Sequence, residues 1–245
     1  MNRILFADGE CDAENRLVLH GRRAAHILGV LRARPGETLG VGRIDGPVGT
    51  GRVTAAGDGE VRLEVALEGA APEPWIDLLL AVPRPKVLKR LWAQLAALGV
   101  GRIILVNAAR VERCYFDTHW LDPAVYTPLL VEGLEQAGTT RLPEVRIRRG
   151  FKPFVEDELE RDYVGRLKLL AHPGAAAACT GAPPPWPAGP ARPLLAIGPE
   201  GGWTPYECGQ LETRGFQRLS LGPRSLRTDT ACIALLGRLL PASQP

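Results

Sequence analysis

Two stretches near the C-terminus hold the residue types and spacings best suited to chemistry. Residues 196–209 read Ala-Ile-Gly-Pro-Glu-Gly-Gly-Trp-Thr-Pro-Tyr-Glu-Cys-Gly, and residues 219–232 read Leu-Ser-Leu-Gly-Pro-Arg-Ser-Leu-Arg-Thr-Asp-Thr-Ala-Cys. Each is an apolar strand pattern, then a Gly/Pro loop, then a helix start. Two adjacent corners of this kind gather main-chain N–H and C=O groups on one edge of an α/β sheet, where such sheets bind nucleotide-like ligands. Gly201 and Gly202 are expected at positive φ, and Gly222 offers a further close backbone approach. Glu200 adds a carboxylate that reads as a proton acceptor or as a loop-orienting group. Arg227 adds a guanidinium that either acts on a substrate or pairs with Asp229 or Glu200. Neither loop contains G-x-x-x-x-G-K-[ST] or G-x-G-x-x-G, which argues against a triphosphate or dinucleotide and sets aside a nucleotide-using oxidoreductase.

The elements that must position these loops alternate between strand and helix. Ile76–Val82 has a buried strand pattern, and Lys86–Leu98 carries Leu88, Leu91, Leu95 and Leu98 on one stripe with Gly99 as its stop. Strand patterns recur at Arg102–Val106, Val145–Ile147 and Leu167–Ala171, with helices over Asp122–Gly138 and near Pro153–Arg161. That rhythm predicts a mostly parallel sheet. Thr204-Pro205-Tyr206-Glu207 fits a capping box, and Thr228 reads as the N-cap of a helix over Asp229–Leu240. Residues 173–193 are rich in Gly, Pro and Ala and read as a loop with the apolar content of a lid.

Upstream, residues 17–67 read as a small β-rich unit, with strands at Arg16–His20, Thr38–Gly42, Val48–Thr54 and Val61–Leu67. A helix over Arg22–Leu31, apolar through Ala25, Ile27, Leu28 and Leu31, should stop at Pro35-Gly36. A small barrel is the expected outcome. Gly69-Ala70-Ala71-Pro72-Glu73-Pro74 is a linker by composition, so the expected division is 1–71 and 72–245.

Composition bounds the function classes. A chain of 245 residues with 45% hydrophobic and 23% charged residues is an ordinary globular protein. The balance of 30 Lys+Arg against 27 Asp+Glu neither establishes nor excludes a nucleic-acid partner. Two basic clusters, Arg84, Lys86, Lys89 and Arg90, then Arg146, Arg148 and Arg149, are solvated faces or phosphate contacts. The 5 cysteines are scattered without a C-x-x-C, and the 4 histidines without ligand spacing, so no metal or disulfide framework is expected. No signal-peptide core or membrane span is read, and a cytoplasmic location is expected.

The strings Ile-Gly-Pro-Glu-Gly-Gly and Leu-Gly-Pro-Arg-Ser-Leu-Arg-Thr-Asp-Thr-Ala resemble the last two motifs of SPOUT-class RNA methyltransferases, most closely the ribosomal RNA small subunit methyltransferase E family. The resemblance runs along nearly the whole chain. His26, Val30-Leu31-Arg32 and Pro35-Gly36-Glu37 are similar to that family's PUA-like RNA-binding domain. Leu98-Gly99-Val100, Arg110, Glu135-Gln136 and Arg141-Leu142-Pro143-Glu144 follow in its order. The resemblance implies an N-terminal PUA-like small β-barrel and a C-terminal SPOUT α/β domain with a trefoil knot. It also implies a homodimer and methyl transfer from S-adenosylmethionine, without metal, to N3 of a uridine in 16S ribosomal RNA of the small subunit. The cofactor residues so implied are Ile197, Gly198, Glu200, Gly201, Gly202, Leu219, Leu221, Gly222, Leu226, Thr228 and Ala231, with Arg227 and Glu200 as the catalytic candidates. Candidate RNA contacts are Arg3, Arg16, His26, Arg32, Arg84, Lys86, Arg110 and Arg141; His26 also reads as a packed core histidine.

The chain departs from the family where Gln94 and Ala97 replace Lys and Glu, Thr139 an Arg, Ser225 a large aliphatic and Asp229 a Glu. Those changes surround the expected substrate side. Two rivals stay open: ribose 2′-O methylation by another SPOUT branch, and, on the altered positions 94, 97 and 139, an RNA-binding or assembly factor that has lost catalysis.

Overall fold

A period-two alternation of apolar and polar residues builds the first sheet. In β2 (Arg16–Leu19) Leu17 and Leu19 are buried while Arg16 and Val18 face out, and β5 (Glu60–Gly69) buries Val61, Leu63 and Val65. With β1 (Ile4–Phe6), β3 (Thr38–Arg43) and β4 (Val48–Gly57) they form a five-stranded sheet of order β1-β3-β4-β5-β2. Only the β1–β3 pair is parallel. The sequence pattern does not reveal β1, because three residues buried on both faces carry no alternation. β1 and β2 lie at opposite edges, and the β unit is a sheet whose ladders, among the described residues, do not close.

The first helix covers the expected span but changes type, and it stops at Arg32 rather than at Pro35-Gly36. α1 (Gly21–His26) passes into a π turn, Ile27–Leu31, and Arg32 stops it in the left-handed region at φ 53°. The wider turn leaves only Ile27 of the expected stripe fully buried; Val30 and Leu31 point to solvent at 69% and 40% exposure.

This computed structural model describes residues 3–173 and 191–241, and the reading of a lid over 173–193 falls almost wholly outside them. The chain divides into two compact units, residues 1–72 with 131–142, and residues 73–130 with 143–245.

The second unit contains β6 (Ile76–Ala81), α2 (Pro85–Ala97), β7 (Val100–Val106) and most of the elements that follow. α3 (Pro123–Ala137) spans residues of both units. After it come β8 (Glu144–Arg148), α4 (Phe151–Pro153), a π turn at Phe154–Glu158, α5 (Leu159–Tyr163) and β9 (Lys168–Ala171). The chain ends with β10 (Leu194–Ile197), α6 (Pro205–Glu212), β11 (Phe216–Leu219) and α7 (Thr228–Leu239). The six strands form one parallel sheet of order β11-β9-β10-β6-β7-β8. β6 and β10 are buried at every residue, as strands covered on both faces must be. Helix α2 turns Leu88, Leu91, Trp92, Leu95 and Ala96 to the core.

Asp77 interrupts the apolar run of β6 and is fully buried. Its carboxylate accepts from Arg192 Nε at 2.7 Å and from the Tyr163 hydroxyl at 3.1 Å, with Arg166 3.6 Å away. Burial and the neighbouring carboxylate push the Tyr163 phenol well above its usual range, so it stays a donor. This cluster lies at the start of the strand, away from the C-terminal strand edges where the Gly/Pro loops emerge.

One sequence expectation about those loops needs correction. β10 and β11 are consecutive along the chain but are not neighbours, because β9 lies between them. The end of β9 therefore sits between the two Gly/Pro loops.

Candidate active site

The two loops and the end of β9 line one pocket of about 320 Å³. All eleven residues expected at the cofactor line it: Ile197, Gly198, Glu200, Gly201 and Gly202 from the first loop, Leu219, Leu221, Gly222 and Leu226 from the second, and Thr228 and Ala231 from α7. Arg110 lines it too. Sequence reasoning missed Ala171, His172 and Pro173, because nothing in the residues announces that β9 is inserted between β10 and β11. It also missed Trp203, Ser220, Arg224 and Ser225, which lie within the motifs themselves.

Local chemistry fixes each wall. Gly202 and Gly222 have φ of 72° and 103°, values that disfavour any side chain. Gly201 does not adopt positive φ, contrary to expectation; its bare Cα instead admits Arg110, whose Cδ would lie 3.1 Å from a Cβ there. Arg110 Nη1 donates to the Gly201 carbonyl at 2.5 Å. The second loop is closed by Ser220, whose hydroxyl accepts from Gly222 N–H at 3.1 Å and lies 3.2 Å from the Gly222 carbonyl, to which it donates. Beyond Gly222, residues 223–227 are exposed.

The capping box forms as expected and reaches further. Glu207 is 2% exposed; its Oε2 accepts from Thr204 N–H at 2.8 Å and from the Thr204 hydroxyl at 2.9 Å. Its Oε1 accepts from Ala109 N–H at 2.7 Å, so one buried carboxylate caps α6 and anchors the loop that carries Arg110. The other cap differs from expectation. Arg227, extended at φ −65° and ψ 152°, is the N-cap of α7, and its carbonyl accepts from Ala231 N–H at 2.8 Å. Thr228 is already helical and buried, with its residue on the pocket wall.

Arg227 itself is exposed beside the pocket rather than in its lining, and its guanidinium has no hydrogen-bond or ion-pair partner among the described residues. Neither carboxylate considered for it is its partner. Asp229 accepts from Arg90 Nη2 at 2.6 Å, and that guanidinium holds its carboxyl below the usual range. Glu200 Oε1 accepts from the main-chain N–H of Arg84, the N-cap of α2, at 3.1 Å.

The RNA candidates separate by what their cations already hold. The fork of Arg3 donates to the carbonyls of Gly138, Val41 and Gly49, and Arg141 donates to the Asp45 carbonyl. Arg16 pairs with Asp12 and Glu14. His26 is half-buried, its Nε2 shielded without a partner among the described residues. Arg84 is exposed with its guanidinium beside Tyr115, whereas Arg32 and Lys86 are exposed without partners among the described residues. Two cations of the second basic cluster are paired, Arg146 with Glu144 and Asp162 and Arg148 with Glu158, whereas Arg149 lies over Phe116 and keeps its charge.

Two buried polar atoms on the pocket wall, Trp203 Nε1 and His172 Nδ1, have no partner among the described residues. Such atoms are rare because each costs the desolvation of a hydrogen-bonding group. Among the described residues no group of three or more His, Cys, Asp or Glu is placed to hold a metal ion, and no helix is long and apolar enough to cross a membrane.

Comparison with known proteins agrees with this geometry. The family model for an RNA methyltransferase domain matches residues 71–240. The ribosomal RNA small subunit methyltransferase E of Treponema pallidum is 29% identical over 252 residues, covering 96% of this chain and 88% of that protein. A methyltransferase of Legionella pneumophila, solved in complex with the bound cofactor SAM, is similar at a TM-score of 0.74 and 27% identity, over 97% of this chain and 96% of that one. A ribosomal RNA small subunit methyltransferase E from Neisseria gonorrhoeae, bound to S-adenosyl methionine, shares the fold at a TM-score of 0.75 and 24% identity, over 97% and 95% of the two chains.

Proposed function

The chain belongs to the RNA methyltransferase domain family, and from that premise we propose that it methylates N3 of a uridine in 16S ribosomal RNA, using S-adenosylmethionine. One observation carries the reading. The two family motifs and the end of β9 make a single pocket whose wall holds main-chain groups at two glycine turns and two buried polar atoms without partners among the described residues. That donor set fits a ligand with ribose, adenine and amino-acid polar groups and little net charge. The pocket volume is at the lower end of those that take small ligands.

Trp203, His172 and the main chain of residues 198–202 and 220–222 would hold the methyl donor, which supplies an electrophilic methyl on a sulfonium. The nucleophile sets the harder problem. An imide nitrogen is mostly protonated at neutral pH and attacks only as its proton leaves, so the site must stabilise negative charge growing on the pyrimidine carbonyls. Arg227 has the free guanidinium for this, at the N-cap of the helix whose next residue lines the pocket. Glu200 is a carboxylate of the pocket lining, and its Oε1 already accepts the Arg84 N–H, which suits it to holding the loop more than to taking a proton from the base. Holding the uridine in line with the methyl group supplies much of the remaining rate.

By resemblance, residues 1–71 form the PUA-like RNA-binding domain, with Arg32 as its freest candidate cation for phosphate; Lys86, on α2, is the freest candidate of the second domain. Residues 72–245 form the SPOUT domain with its trefoil knot. The enzyme works in the cytoplasm as a homodimer that pairs across α7, where Ile233 is half-exposed and Leu240 is 41% exposed. A monomer at micromolar concentration in light scattering would contradict that pairing. The test of the function is nucleoside analysis of small-subunit RNA from a strain lacking the gene. Loss of one N3-methyluridine supports the reading, and loss of a 2′-O-methyl nucleoside would replace it with the ribose alternative.

A further inference from the structure

Arg227 is held from one side only. Between the Ser220–Gly222 closure and the first turn of α7, residues 223–226 are exposed and make no hydrogen bond among the described residues. What fixes the far end is Asp229, in the first turn of α7, which is tied to Arg90 on α2 at 2.6 Å. Asp229 is the more buried partner, its side chain 19% exposed against 55% for Arg90. Its second oxygen accepts from Thr230 N–H at 3.0 Å, which fixes the carboxylate in the frame of the helix start. The same helix α2 holds the other loop, because its N-cap amide donates to Glu200 at 3.1 Å. One rigid helix therefore sets the positions of both groups proposed to act on the base.

We infer that Arg90 is a positioning residue of the methyl transfer: its ion pair with Asp229 fixes the start of α7 and thereby the placement of the Arg227 guanidinium. The inference rests on the reading of Arg227 given above. Arg90 is about six residues along α2 from Arg84 and is not part of the pocket wall, so it has no direct route to substrate through the pocket. Its effect passes through Asp229 to the residue two positions earlier. A group whose displacement by about 1 Å costs on the order of 100-fold in rate is sensitive to the loss of such an anchor.

The test measures methyl transfer to small subunits, with S-adenosylmethionine affinity by calorimetry, for Arg90→Met, Arg90→Lys, Arg227→Ala and Arg90→Met/Arg227→Ala. Arg90→Met should lower kcat by about 10-fold or more with cofactor Kd within about twofold of wild type. Arg90→Lys keeps a cation within reach of Asp229 and should recover most of that loss. In the Arg227→Ala background, Arg90→Met should cause no further loss, because the two act through one group. Wild-type turnover in Arg90→Met, a loss that Arg90→Lys does not relieve, or an additive loss in the double variant would each overturn the inference. Should Arg90→Met fail to fold, Asp229→Asn replaces it in the same cycle, with the same expected and contrary results. Full activity of Arg227→Ala alone would instead refute the catalytic role of Arg227, a failure distinct from that of Arg90.

Discussion

Replacing Glu207 by Ala should destabilise the protein and weaken its cofactor site together. The carboxylate is 2% exposed and holds three donors, the N–H and hydroxyl of Thr204 and the N–H of Ala109. Loss of the reciprocal cap costs about 1 kcal/mol. Loss of a hydrogen bond to a charged acceptor, here from Ala109, adds about 2 kcal/mol. A total of about 3 kcal/mol should lower Tm by roughly 6–12 °C for a chain of this size. The Ala109 bond also anchors the loop from which Arg110 reaches the Gly201 carbonyl, so S-adenosylmethionine affinity should fall along with stability. Scanning calorimetry and titration calorimetry read the two effects. Glu207→Gln keeps one carbonyl acceptor and should lose about half as much. A Tm within about 3 °C of wild type for Glu207→Ala, or a large Tm loss with unchanged affinity, would refute the argument that one carboxylate serves both the helix cap and the site.

Trp203→Phe keeps an aromatic ring in place of the indole that lies 5.7 Å from Phe151 but removes its N–H and part of its buried surface, so Tm should fall modestly and cofactor affinity about 5- to 10-fold; unchanged affinity would mean that no ligand meets that donor. Arg227→Ala should keep the fold and most of the cofactor affinity while losing on the order of 100-fold in turnover, with a smaller loss for Glu200→Gln; normal turnover in Arg227→Ala would return that residue to a surface role. The Asp229 carboxyl is held below its usual range by Arg90, so its contribution is present above the unfolded pKa of about 3.9 and is lost as pH falls through the folded value. Wild type should therefore exceed Asp229→Asn in stability near pH 6, with the gap closing as pH falls below the free-carboxyl value of about 3.9; a gap independent of pH would contradict the ion-pair origin.

Much of the second unit is legible in the residues because its signals are local. Period and length separate β6 from α2, and Thr204 with Glu207 announces the start of α6. The loops are legible for the same reason, since Gly-Pro and Gly-Gly punctuate them. What is not legible is non-local. No residue of β9 records that it will lie between β10 and β11, and so His172 could not be assigned to the pocket. Arg90 and Asp229, far apart along the chain, give no sign of pairing. Thr228 reads as a good N-cap from its residue type, yet it is buried against the pocket and Arg227 takes the cap position by backbone geometry alone. In the first unit, β1 is hidden by its length and the π turn by an apolar pattern that an ordinary helix would share.

The most direct measurement incubates the purified protein with small ribosomal subunits and S-adenosylmethionine carrying a labelled methyl group, with chelator present, and digests the RNA to nucleosides for mass spectrometry. The predicted result is label in N3-methyluridine alone, from one site per subunit. Label in a 2′-O-methyl nucleoside, or subunits that bind the protein but acquire no methyl group, would contradict the account.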